Sequence, residues 1–200
     1  EDGFKLLFRR GELIQEASNA ADSAMVAVVK LPPEKVEELA GQFDQVYPVN
    51  YNSPAQTVCA GLSSSMDGFK AAVKAAGGRA LPLKVSGAFH SPFMSSAAKG
   101  LAEVLAPMEF GTPSCPLYSN VTAQPYEDGQ FKDLLSRQVE NPVRWQTIVE
   151  NMIAAGVDTF IEVGPGKTLA GLIGKINSDV RALNVEDAES LKHTIEEDKA

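Results

Sequence analysis

The sequence predicts an α/β protein, and three features carry that prediction. Residues 24–86 alternate apolar β-branched runs with helical patterns in the order β-α-β-β-α-β. Beyond residue 86, strand patterns alternate with helical ones, which implies parallel pairing. The chain has 200 residues, 44% hydrophobic and 22% charged, enough to bury a sizeable core with an ordinary soluble balance.

The elements follow in order. Residues 5–17 form a helix: Leu6, Arg10, Leu13 and Ala17 share a face with Leu7 and Ile14 beside them, while Lys5, Arg9, Glu12 and Glu16 make the polar side. Arg10 thus lies on the apolar stripe, where a guanidinium that cannot lose its proton needs an anion. Met25–Val29 is a strand. Pro32-Pro33 opens a helix carrying Val36, Leu39, Ala40 and Phe43. Val46–Tyr51 and Thr57–Ala60 are strands joined by the turn former Asn52-Ser53-Pro54. Ser63–Ser65 caps a helix with Phe69, Ala72, Val73 and Ala76 on one face, ended by Gly77-Gly78. Leu81–Val85 closes the set, which is the split βαβ order of ferredoxin-like domains. Helices are then expected over Pro92–Leu105, Phe131–Val139, from Trp145 through Ile153, and from Leu169 to Ile176. Strands are expected at Cys115–Asn120, at Thr159–Val163 (buried) and at Arg181–Val185.

Charge narrows the function classes. The net charge of −8 argues against nucleic acid as the partner. Half of it comes from Glu186–Ala200, six acids against two lysines, read as a solvated, partly frayed helix. No apolar run reaches 18 residues, so no membrane span is expected. Cys59 and Cys115 form neither a CxxC nor a metal cluster and read as reduced core residues of a cytoplasmic protein.

The motifs are individually weak. Gly166-Lys167-Thr168 looks like the end of a phosphate loop, but Ile161 stands where its first Gly belongs, so Gly164-Pro165-Gly166 reads as a strand-to-helix turn. His90 sits at a strand-to-helix junction, where an imidazole serves either as a cap or as a general base. No Ser or Cys has Gly at both −2 and +2, so no nucleophile elbow is visible. Asn50, Asn52 and Gln56 cluster around the hairpin, either as turn residues or as a polar site. Arg79 either reaches a phosphate or is solvated.

As a set, the stretches Arg9–Ala17, Asn50–Pro54, Ala80–Leu83, Gly87–Ser91, Asn141–Trp145 and Glu162–Lys167 resemble the malonyl-CoA:acyl carrier protein transacylases of type II fatty acid synthesis. The resemblance spans residue 6 to about residue 176 in the family's order. It implies a partial α/β-hydrolase-like large subdomain (residues 1–20 and 86–200) with an inserted ferredoxin-like small subdomain (residues 21–85). It implies His90 as the base that activates a serine, and Gln138 as the residue whose backbone carbonyl orients that histidine. It implies Arg10 as the grip on the malonyl carboxylate. Phe89 is similar to the malonyl-selective residue of related polyketide acyltransferases, its bulk leaving little room for a branch methyl. Asn50, Asn52, Gln56 and Arg79 match positions near the CoA or carrier-protein arm.

The substrates implied are malonyl-CoA and phosphopantetheinylated acyl carrier protein, with no metal or redox cofactor, no nucleic acid and no membrane. The family's Gly-His-Ser-x-Gly elbow lies upstream of the arginine helix. The chain opens on Glu1 and contains no such elbow, so the expectation is of a missing front portion and of a chain inactive and poorly stable by itself. A polyketide-type malonyl acyltransferase and a non-catalytic carrier-protein- or CoA-binding piece are the rival readings.

Overall fold

The computed structural model describes residues 1–85 and 87–198. Ser86, the expected start of the second large-subdomain segment, and the last two residues of the acidic tail lie outside them. The chain forms two compact units, Glu1–Trp145 and Gln146–Ala200.

The first unit opens with helix α1 (Asp2–Ser18), which buries Leu13 and Ala17 and leaves Phe4, Leu7 and Phe8 exposed. A four-stranded sheet follows: β1 (Ser23–Val29), β2 (Val46–Ser53), β3 (Gln56–Leu62) and β4 (Arg79–Pro82), in the order β2-β3-β1-β4. All neighbours are antiparallel, so β3 lies between the parallel pair β1 and β2, as the split βαβ order requires. Helices α2 (Pro33–Ala40) and α3 (Ser63–Ala75) cover one face, where Val26, Val28 and Cys59 meet Val36, Leu39, Phe69 and Val73. The alternate residues Met25, Ala27, Val49, Val58 and Ala60 bury the other face against Ala88, with Phe89 and Phe93 packed beside them. Two covered faces explain why β1 reads as an unbroken apolar run rather than an alternating one.

The remainder of this unit is helical: a 3-10 turn at Pro92–Met94, α4 (Ser95–Leu105) and α5 (Phe131–Arg137). Leu13 and Ala17 pack on Met94, Ala97, Ala98, Leu101, Leu105 and Val139. Gly100 is the crossing point, since a Cβ there would stand 2.6 Å from Leu13 Cδ2.

The second unit is one β-α-β element between two helices. After α6 (Trp145–Ala154), β5 (Thr159–Val163) pairs in parallel with β6 (Arg181–Val185) through α7 (Thr168–Ile176), and α8 (Ala188–Asp198) closes it. The Gly164-Pro165-Gly166 turn is not an open anion cradle. The Gly166 N–H donates to Glu186 and the Ala170 N–H to Glu162, both at 2.8 Å, so the chain's own carboxylates occupy the donors a phosphate would use.

Five sequence expectations need correction. The last small-sheet strand is Arg79–Pro82 rather than Leu81–Val85, because Pro82 has no N–H for the ladder; a single Leu83 N–H to Met25 carbonyl bond follows it. Ser63–Ser65 does not cap α3: Ser63 Oγ donates to Asp22 Oδ1 (2.7 Å) and Ser65 Oγ to the Asp44 carbonyl (2.9 Å). Cys115–Asn120 is no strand. Pro116 removes a donor inside it and Pro113 one just before it, and the segment closes as a loop through Tyr126 N–H to the Leu117 carbonyl and Ser119 N–H to the Gln124 carbonyl. Cys115 is exposed, whereas Cys59 is buried and its thiol is pushed up to about 12 by desolvation, which leaves it inert. Finally, β5 is not buried: with one strand neighbour it leaves Ile161 44% and Val163 80% exposed.

Candidate active site

The site of interest is a cavity of about 480 Å³ in the first unit, lined among others by Arg10, Gly11 and Ile14 of α1, Met25 and Asn50 of the sheet, and His90. Three elements build it. The sheet's second face carries the loop 87–91 through Ala88 and Phe89. Gly87 lets this loop approach the end of α1: its φ is +121°, and a Cβ there would fall 2.4 Å from Ser18 Oγ. The turn after α5 supplies the third wall through Val139.

His90 is held in the left-handed region, φ +60°, a cost of ~1–3 kcal/mol for a non-glycine residue. Its N–H donates to the Val139 carbonyl at 3.1 Å, and its Nδ1 lies 2.8 Å from the Gln138 carbonyl oxygen. A carbonyl only accepts, so Nδ1 carries the proton and Nε2 keeps its lone pair. Burial lowers the imidazole pKa below its ordinary value, and the nearby Arg10 charge lowers it further. The backbone at Gln138 and Asn141 opposes them. The net result is a neutral ring at pH 7 with a free basic nitrogen.

Arg10 lines the same cavity. Its Nε is buried without a hydrogen-bond partner, and burial alone lowers its pKa. Among the described residues no carboxylate pairs with it, whereas its neighbour Arg9 bonds Glu12 at 3.0 Å. A partly desolvated guanidinium that lines a cavity with no protein carboxylate paired to it suits an anion, and its planar fork fits a carboxylate.

Of the other sequence-derived candidates, Phe89 and Asn50 line this cavity, and Gln138 acts through its backbone alone. Asn52 and Gln56 stand at the β2–β3 hairpin and Arg79 on β4; none of the three lines the cavity. Sequence reasoning missed the apolar lining: Met25, Leu83, Val85, Met94 and Val139. Their only signal was a surplus of apolar residues around the His90 junction, indistinguishable from core. Among the described residues no group of three His, Cys, Asp or Glu is placed to hold a metal. None of their helices is long and apolar enough to cross a membrane.

The family model for the acyl transferase domain matches residues 1–199. The chain belongs to this acyl transferase family. It is 35% identical over 202 residues to the malonyl CoA-acyl carrier protein transacylase of Bacillus subtilis, covering 98% of this chain and 64% of that protein. With the Escherichia coli K12 protein of the same name it shares 38% over 200 residues, covering 98% and 65%. The acyl transferase fold agrees in three dimensions with the crystal structure of the Clostridium perfringens transacylase: TM-score 0.94, 39% identity, covering 99% of this chain and 64% of that one. It agrees equally with a malonyl-transacylase solved in complex with its type II PKS acyl-carrier protein, at TM-score 0.92 and 38% identity, over 96% and 64%. The chain therefore spans just under two thirds of the length of the relatives it matches. These likenesses make the fold the mixed α/β one of the transacylase structures.

Proposed function

We propose that this acyl transferase chain carries the base and the acyl clamp of an enzyme that moves malonyl from coenzyme A to the phosphopantetheine thiol of acyl carrier protein. One observation carries the reading: an imidazole tautomerised by a backbone carbonyl at 2.8 Å shares a cavity with a guanidinium that no carboxylate among the described residues neutralises. The names of its relatives point to the same substrates.

The nucleophile is a serine from outside the 200 residues. His90 Nε2 takes its proton as Oγ attacks the malonyl thioester carbonyl. The tetrahedral intermediate collapses, the C–S bond breaks, and the imidazolium returns the proton to the departing CoA sulfur. In the second half the carrier thiol gives its proton to His90 and attacks the acyl-serine; collapse then releases the serine, which regains the proton. Arg10 binds the malonyl carboxylate throughout, and Phe89 excludes an α-branch. Asn50 contacts the substrate arm at the cavity wall, with Asn52, Gln56 and Arg79 further along the path of CoA or of the carrier. The chemistry balances without metal or redox cofactor and belongs to the cytoplasm, where CoA thioesters are made.

The test is transfer of labelled malonyl from malonyl-CoA to holo acyl carrier protein by the full-length protein. Substituting His90→Ala should cost several orders of magnitude in kcat. Undiminished transfer by that variant would remove His90 from the mechanism.

A further inference from the structure

The turn that faces His90 is tied down by a carboxylate that takes no part in lining the cavity. Residues 138–140 run alongside residues 90–95, and three bonds cross between them. His90 Nδ1–H donates to the Gln138 carbonyl (2.8 Å), the His90 N–H to the Val139 carbonyl (3.1 Å), and Ser95 Oγ–H to Glu140 Oε2 (2.7 Å). The other anchors of this turn lead elsewhere. The Gln138 N–H goes to the Leu134 carbonyl, Asn141 Nδ2 to the Arg137 carbonyl, and Val143 exchanges bonds with Val49 and Tyr51 on β2. They fix the turn to α5 and the sheet, and of this outer part of the turn the backbone at Asn141 reaches back to the His90 imidazole.

We infer that Glu140 is a positioning residue: bonded to Ser95 at the start of α4, it holds the Gln138 carbonyl in register with His90 Nδ1 and so sets the imidazole tautomer. Two of the three crossing bonds end on His90 itself, whose backbone is in a strained region. Without the third, the turn is held to residues 90–95 by bonds to His90 alone and by the apolar cluster that Val139 shares with Met94, neither of which fixes the turn beyond Val139. A carboxylate suits the task. Ser95 has one hydroxyl proton and two acceptors, the Pro92 carbonyl at 2.8 Å and Glu140, and the charged acceptor makes the stronger bond. Glu140 touches neither the cavity nor the imidazole, so it acts only through the backbone it anchors.

The kinetic part of this inference rests on the function proposed above; the tautomer part does not. The experiment compares Glu140→Ala, Ser95→Ala, the double variant and Glu140→Gln in the full-length protein. Proton–nitrogen NMR reads the His90 tautomer at a pH where the ring is neutral, and malonyl transfer gives kcat and KM. The wild type should show the Nδ1–H form. Both alanine variants should populate the Nε2–H form and lose about tenfold in kcat, with KM for malonyl-CoA changed less than about twofold. The double variant should be no worse than either single one, because both remove the same bond. Gln keeps a group that can bond Ser95 and should restore both readouts. An unchanged tautomer in the two alanine variants overturns the inference. So does an equal kcat loss in all variants, Gln included, with the tautomer intact. A tautomer shift in a protein whose wild type transfers no malonyl leaves the Glu140 role standing and removes the proposed function instead.

Discussion

Gly87 sits where the loop that carries His90 meets α1, and replacing it by alanine tests whether that close approach sets the site. Two costs add. At φ +121° an L-residue is strained by ~1–3 kcal/mol. The new Cβ would also lie 2.4 Å from Ser18 Oγ and 2.9 Å from Ser18 Cβ, so something must move by at least about half an ångström. Ser18 cannot yield freely, because its hydroxyl donates to the Ile14 carbonyl at 2.8 Å. Overpacking of this kind costs ~1–3 kcal/mol, so the total is on the order of 3 kcal/mol. His90 is three residues on, and a displacement approaching 1 Å lowers kcat by roughly ten- to a hundredfold. Urea unfolding of the full-length protein, with the slope unchanged, measures the first number and malonyl transfer the second. Combining Ser18→Gly with Gly87→Ala removes both Ser18 atoms and leaves the φ strain and the 3.2 Å approach to Phe89 Cε1, so up to about half of the stability should return. A Gly87→Ala protein within ~0.5 kcal/mol of wild type would refute the packing argument, as would a Ser18→Gly companion that restores nothing.

Other outcomes follow from the same geometry. Arg10→Ala should weaken malonyl transfer by about a hundredfold while acetyl transfer is unchanged or rises, since one charge-assisted clamp is worth ~2–3 kcal/mol; unaltered acyl preference in a competition assay counts against the clamp. Because burial lowers the His90 pKa, the unfolded chain binds the extra proton first as pH falls. Its contribution to stability is therefore full above about pH 6.5 and is lost as pH drops from there through the folded value. His90→Asn should flatten that stretch of a pH-dependent melting series, and the acid limb of kcat/KM should lie below about pH 6.5. Phe69→Ala, at the fully buried centre of the helix-covered sheet face, should destabilise by ~3–5 kcal/mol in the same unfolding assay. Glu162→Gln weakens the carboxylate cap on the Ala170 N–H and should lower the stability of the second unit by ~1 kcal/mol, visible as faster amide exchange in α7.

Much of this protein was determined by its sequence alone. The order and type of the β-α-β-β-α-β elements follow from apolar spacing and from Pro and Gly punctuation, because such signals act over a few residues at a time. The place of Arg10 on an apolar face follows likewise from a period of 3.6, and the weak motifs together were sufficient for the family. What the sequence could not contain were relations between distant segments. The strand expected at Cys115–Asn120 failed because the prolines near Cys115 withhold ladder donors, and β5 is half open because among the described residues β6 alone pairs with it. The tautomer of His90 depends on a carbonyl 48 residues away, and its third cross-bond joins residues 45 apart. Only folding brings those atoms within 3 Å, and a main-chain oxygen leaves no side-chain signature that a sequence could show.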